Sequence, residues 1–349
     1  MPASWMPDRD ELLHIRKVEG AWRVGLRAGI SVLVPQMFLL WIGRPELAPY
    51  ASFGAFASLY GRQLAYFTRL QMQVSAGITL TMAVVTGVLV GLVPDAPWLQ
   101  IGMAAVIAAT GQVFARAHRY HPPGPLFMIF AYGAISSMPH VLADISRGLV
   151  TSLASATFAV LVGVSGLSLK PGGIRREWAE TGLLLLDFVH DWKPAWLALA
   201  VVPSGTIAHL SGIGHPYWAM VAAIAPLTAP HVTTQVTRGA HRAVGTLLGL
   251  LPAWALLSLH LPPEAAVLVV AVLQVVTEMV VGANYAAAML FITPMALLMG
   301  ELGARHEVGP LLFDRGAETV IGCLVAFVLA VFGHTLRQRR LRRRNLSIS

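Results

Sequence analysis

Apolar runs long enough to cross a bilayer recur from one end of this chain to the other. A run of about 18 or more apolar residues marks a transmembrane helix. The runs leave little room for anything else: of 349 residues, 56% are hydrophobic and 12% charged, where a soluble domain carries about 25% charged residues. The sequence therefore reads as an all-α, polytopic membrane protein.

Residues 1–22 mix basic and acidic side chains and read as a cytoplasmic lead-in. Six spans are expected over residues 23–169, at about 23–42, 49–60, 72–93, 98–115, 124–138 and 147–169. Residues 170–194 are the one long polar break, and their apolar patch at 183–186 predicts an amphipathic linker helix along the inner interface. A second set of six is expected over residues 195–336, at about 195–213, 216–230, 241–261, 264–281, 284–300 and 315–336. The basic tail 337–349 ends the chain on the cytoplasmic side.

The two sets match each other. Arg147-Gly148-x-x-Thr151 recurs as Arg315-Gly316-x-x-Thr319, Pro35 as Pro203, Pro49-Tyr50 as Pro216-Tyr217, and Gly77 as Gly245. The expected architecture is twelve helices in two parallel six-helix repeats, a pseudo-dimer about an axis along the membrane normal. If the short second and eighth spans were re-entrant, each half would hold an odd number and the repeats would be inverted.

Charge orders the loops. Arg62, Arg69, Arg116, Arg119, Lys170, Arg175, Arg176, Lys193, Arg238, Arg242 and the arginine tail fall in loops on one side of this scheme, and mainly Asp95, Asp144, Glu264, Glu301, Glu307 and Asp314 on the other, with Arg44 and Arg305 as exceptions. Basic loops mark the cytoplasmic face. The net charge of +8 is thereby explained without nucleic acid, and both termini are expected in the cytoplasm.

A few residues inside the spans carry chemistry. Pro35 and Pro203 interrupt the first span of each half, and matched interruptions point to a transport path; prolines also simply kink membrane helices. Arg147 and Arg315 are expected to face each other near the outer mouth, as anion-binding residues or as anchors snorkelling to the interface. Glu278 is a lone carboxylate among Val275, Val276, Met279 and Val280. It needs a partner, for which Arg238 or Arg242 is expected, or else it takes up protons as a coupling group. Glu318, one turn beyond Arg315, poses the same choice. His209, His231 and His241 lack metal-ligand spacing, and Cys323 is the single cysteine. No nucleotide loop or nucleophile triad appears, so neither a cofactor nor an enzymatic activity is expected.

Longer motifs then carry a resemblance. Tyr217-Trp218-Ala219, followed by Arg238-Gly239-x-x-Arg242-x-x-Gly245-Thr246-x-x-Gly249, resembles the signature of the fusaric acid resistance protein-like, or aromatic acid exporter, superfamily. Asn284-Tyr285-Ala-Ala-Ala-x-x-Phe291-Ile-Thr293-Pro294 and Arg315-x-x-x-Thr319-x-x-Gly322 extend it. The likeness covers residues 195–335 and is weaker over 24–169. It implies a bacterial inner-membrane transporter that exports aromatic or other organic anions; the chain departs from the larger exporters of that family in lacking a sizeable cytoplasmic domain between its halves. The expected path residues are Pro35, Pro203, Arg147, Thr151, Arg315, Thr319, Arg238, Arg242, Asn284, Tyr285, Thr293 and Pro294, with Glu278 and Glu318 as proton-coupling groups. A passive anion channel, a membrane scaffold for envelope assembly, and a homo-oligomer or accessory subunit all stay open at this point.

Overall fold

The computed structural model describes residue 6 and residues 20–346, apart from 63, 65, 166–191 and 304–306. Residues 170–191 of the expected linker and most of the lead-in therefore lie outside the described residues, while Lys193 and Pro194, expected to close that linker, open a membrane-domain helix instead. The described residues form α-helices and two short 3-10 turns, with no strand among them. In chain order the helices of the first half are α1 (Ala21–Trp41), α2 (Ala48–Ala55), α3 (Tyr66–Gly91), α4 (Pro97–Ala117), α5 (Leu126–Ser136) and α6 (Ala143–Ser165). Those of the second half are α7 (Lys193–Leu210), α8 (Tyr217–Leu227), α9 (Val232–Ser258), α10 (Pro263–Val280), α11 (Tyr285–Gly303) and α12 (Val308–Leu346).

Eight of them are long and apolar enough to cross a membrane: α1, α3, α4, α6, α9, α10, α11 and residues Val308–Gln338 of α12. The protein is a polytopic, all-helical membrane protein. Local chemistry sets the helix ends. Proline opens α4 at Pro97 and α10 at Pro263, where its missing N–H has no intrahelical partner to lose. Gly43 after α1 and Gly212 after α7 take left-handed φ of 70° and 71°, the conformation that closes a helix C-terminus and favours glycine. The same turn thus ends the first helix of each half.

Three helices are too short to span. α2, α5 and α8 have 8, 11 and 11 residues, roughly 12–17 Å at 1.5 Å per residue, against a hydrocarbon core about 30 Å thick. Nearly all of α2 and α8 is buried. Half-length helices are tolerated at membrane depth because protein, not lipid, surrounds their ends.

The packing pairs recur six helices apart. α3 packs on α5 and α6, as α9 packs on α11 and α12. α2 lies on α6, as α8 lies on α12. Across the halves, α4 packs on α7 and α10 on α1, while α5 meets α8 and α11 meets α2. The close α2–α6 and α8–α12 contacts both depend on a missing side chain. A Cβ at Gly54 of α2 would lie 2.2 Å from the Ser152 carbonyl, and one at Gly322 of α12 would lie 2.2 Å from the Ala219 carbonyl. The glycine comes from the short helix in one half and from the long helix in the other.

The prolines correct one expectation. Pro35 and Pro203 lie inside α1 and α7, and both helices run through them. Both prolines are half-buried, and neither is among the residues lining the two cavities described below.

Candidate functional site

Two cavities lie between the halves, lined chiefly by the short helices and by α11. One, of 530 Å³, reaches Arg62, Arg238, Arg242, Arg315 and Glu278. The other, of 390 Å³, reaches Glu46, His140, Asp144 and His215. Phe130, Ala296 and Met299 line both, so these residues form an apolar neck where the arginine cavity and the histidine cavity adjoin.

Helix direction follows from the linings. α2 begins at the histidine cavity with Pro49, Tyr50 and Phe53, and the chain after it reaches the arginine cavity with Phe56, Leu59 and Arg62. α8 runs the same way, from Tyr217 and Trp218 to Val221 and Ala225. α5 and α11 both run in reverse, from Leu126 and Tyr285 at the arginine cavity to Ser137 and Gly300 at the other. Corresponding helices of the two halves point in the same direction.

The walls of the arginine cavity differ. On one side Phe56, Phe127 and Phe130 interlock, with Phe56 and Phe127 rings 5.4 Å apart and edge-on. On the other, α9 supplies Arg238 and Arg242 and α12 supplies Arg315. Arg242 and Arg315 are only 4% and 2% exposed. Arg242 Nη1 donates to the Tyr285 hydroxyl at 2.9 Å, and the Arg315 guanidinium lies 4.9 Å from the centre of the Trp218 ring. The Nε of each has no hydrogen-bond partner. A buried guanidinium with no direct ion pair is costly, and these two line the cavity.

Glu278, the one carboxylate of this cavity, is paired from the first half. Arg62 donates to one of its oxygens, and Gln274 Nε2 donates to the other at 3.3 Å. The expected pairing with Arg238 or Arg242 is therefore corrected. The packing of α1 on α10 decides it: Arg27 of α1 donates to the Arg62 carbonyl at 3.0 Å, which fixes the Arg62 loop over the end of α10. Arg27 is itself thereby partnered.

Arg147 and Arg315 do not face one another. The Arg147 side chain is 44% exposed and pairs with Asp144 at 3.0 Å, outside both cavities, whereas Arg315 is enclosed at the arginine cavity. Arg315 lies two turns inside its helix, while Arg147 sits in the first turns of α6, where its side chain reaches the surface.

Other expected path residues make local contacts outside the two cavity linings. Thr319 donates to the Arg315 carbonyl, and Asn284 Oδ1 accepts the Ala287 N–H at the start of α11. Thr293 is fully buried against Gly249 of α9, Pro294 is buried beside it, and Thr151 is half-buried on α6. Glu318 is fully buried, and its Oε1 accepts the His215 N–H at 2.8 Å. Of the expected set, Arg238, Arg242, Arg315, Tyr285 and Glu278 come together around one cavity. Sequence reasoning missed Arg62, Gln274, Phe130 and the role of Trp218. Arg62 had counted only as a loop cation, and nothing local to it signals a partner 216 residues away. Trp218 was visible only as a letter in a motif.

Over 150 residues the chain is 28% identical to a Bacillus subtilis (strain 168) protein named "Uncharacterized membrane protein YvaC", a stretch covering 40% of this chain and 24% of that one. The chain thus spans about a quarter of the length of the curated relative it matches. No solved structure matches it. Residues 199–329 match the family described as fusaric acid resistance protein-like, and that region holds every charged residue of the arginine cavity except Arg62.

Proposed function

We propose that the chain is a membrane transporter that exports organic anions through the two cavities, from the arginine cavity on the cytoplasmic side to the histidine cavity outside. The observation that carries this reading is the set Arg238, Arg242 and Arg315. All three face one cavity, and none makes an ion pair with the protein among the described residues. Cations lining a low-dielectric cleft raise the local concentration of anions. The facing wall of Phe56, Phe127 and Phe130 suits an anion with an aromatic or apolar body, in line with what the family resemblance implies.

Sidedness follows from charge. Arg62, Arg69, Arg116, Arg119 and Arg238 lie at the arginine-cavity end, and Asp95, Asp144 and Glu264 at the opposite end, the bias expected of an inner membrane with its basic side in the cytoplasm. Export is the direction a membrane potential favours: a monoanion leaving a negative interior gains about 2.3 kcal/mol per 100 mV. The common direction of α2 with α8, and of α5 with α11, supports two parallel six-helix repeats. We assign proton coupling to Glu278 in preference to Glu318, because Glu278 lines the cavity while Glu318 is sealed behind it.

The test is transport by the purified full chain in proteoliposomes, with benzoate and acetate as probes. Arg315→Gln is expected to lower benzoate transport by about tenfold or more, the loss of one charge-assisted contact, while Arg147→Gln leaves it unchanged. Wild-type flux in the Arg315 variant would return these arginines to a structural role.

A further inference from the structure

We propose that Trp218 is the positioning residue of the anion site: its ring holds the Arg315 guanidinium in place without consuming the charge or the donors that an anion would use. This rests on the reading of Arg315 as an anion-binding residue.

Arginine is a long side chain, and an unanchored one does not keep its donors aimed at a point in space. Proteins commonly anchor it with a carboxylate, and two lie close in sequence on the same helix, Asp314 and Glu318. Glu318 lies close enough for its charge to be felt by Arg315, but neither carboxylate hydrogen-bonds the guanidinium or forms a direct ion pair with it among the described residues. Both are engaged by the loop before α8 instead. Asp314 Oδ2 meets His215 Nδ1 at 3.1 Å, and Glu318 Oε1 accepts the His215 N–H at 2.8 Å.

What touches Arg315 is a ring. Its guanidinium carbon lies 4.9 Å from the Trp218 centroid, inside the range of a cation–π contact, and tryptophan is the strongest such partner. Trp218 is 3% exposed, so water does not weaken the attraction. The indole is fixed in turn by the His215 ring stacked on it, with centroids 4.8 Å apart and planes 20° from parallel. His215 is tied to α12 through acids on both sides of Arg315. The loop, the indole and the cation therefore form one closed unit.

The difference between ring and carboxylate is functional. A carboxylate would neutralise Arg315 and occupy its N–H donors, leaving a weak anion site. A π face attracts the positive charge while accepting no N–H along the edge of the guanidinium, and the Nε of Arg315 is indeed without a partner. The first half has no equivalent: Ala51 follows Tyr50 where Trp218 follows Tyr217, and its matching Arg147 is at the surface with Asp144. Of the two repeat-related arginines, the one held by a ring rather than by a direct ion pair is the one with the tryptophan.

The experiment replaces Trp218 in the full chain with tryptophans carrying one to four ring fluorines, which weaken the π face at nearly constant size, and measures KM and kcat for benzoate in proteoliposomes. The expected result is a stepwise rise in KM, reaching about tenfold to thirtyfold at full fluorination, with kcat little changed. Trp218→Phe should retain more affinity than Trp218→Leu. A KM independent of fluorine number, in protein that still inserts and transports, would overturn the proposal. Arg315→Gln is run alongside: if it transports as wild type does, the anion-site reading itself fails, whereas an impaired Arg315 variant with a fluorine-independent KM refutes the role of Trp218 alone.

Discussion

Arg62 and Glu278 come from different halves and meet at the edge of the arginine cavity, so each can be removed with or without its partner. Glu278 is 7% exposed, and removing Arg62 leaves a buried carboxylate with only the Gln274 amide as donor. Breaking a buried pair in this way costs about 3–5 kcal/mol; the Arg62 side chain is 24% exposed, which places the expected loss for Arg62→Ala near the lower end. The double variant Arg62→Gln with Glu278→Gln removes both charges and should recover most of the thermal stability lost by Arg62→Ala. Unfolding midpoints of the detergent-purified chains check this, and equal losses in the single and double variants would mean that the ion pair is not what the fold depends on. Glu278→Gln alone should insert normally and lose the response of transport to a pH gradient, while downhill anion exchange persists. At this scale the sequence was partly legible. An isolated acid among valines announces that it needs an arginine, but which arginine depends on how α1 lies along α10, and residue spacing carries no such information.

Helix existence was easier to read than helix role. Apolar runs gave twelve stretches and the structure has helices at each, because burial of backbone polar groups in lipid leaves helix as the economical choice for an apolar run. Pro35 and Pro203 illustrate the limit: a proline within a helix is visible in sequence while its surroundings are not, and neither lines the two cavities. The neck was not legible at all. Phe130 is one phenylalanine among many, and it matters because the fold brings it, from α5, to the same place as Ala296 and Met299 of α11, where all three line both cavities. If this apolar neck is the barrier to permeation, shrinking it lowers that barrier. Phe130→Ala is expected to raise downhill benzoate flux by about tenfold, the effect of removing roughly 1.4 kcal/mol from a barrier, while abolishing accumulation against a gradient. Flux measured with and without an imposed membrane potential checks both parts; an unchanged downhill rate would place the barrier elsewhere.

Across the whole molecule, the arrangement of the two halves decides which ends of the chain share a side of the membrane. Packing pairs recur six helices apart, from α3–α6 and α9–α12 to the crossed α4–α7 and α1–α10 contacts. The turns agree as well, with Gly43 matching Gly212 and left-handed residues at Asp95 and His260 between α3 and α4 and between α9 and α10. Parallel and inverted repeats share such pairings but differ in direction. Parallel halves put the α3–α4 turn and the α9–α10 turn on one face, and inverted halves put them on opposite faces. The protein is suited to the measurement because Cys323 is its single cysteine and is buried, so Cys323→Ala provides a background without thiols. Single cysteines introduced as Asp95→Cys, Glu264→Cys and Arg119→Cys are then labelled in intact cells with a membrane-impermeant maleimide. Positions 95 and 264 should label from outside, and position 119 only after the membrane is opened. The common direction of α2 with α8 and of α5 with α11 leads to that outcome through the alternation of the chain. Labelling of 95 and 264 from opposite sides would refute parallel repeats, and with them the placement of the arginine cavity at the cytoplasmic face.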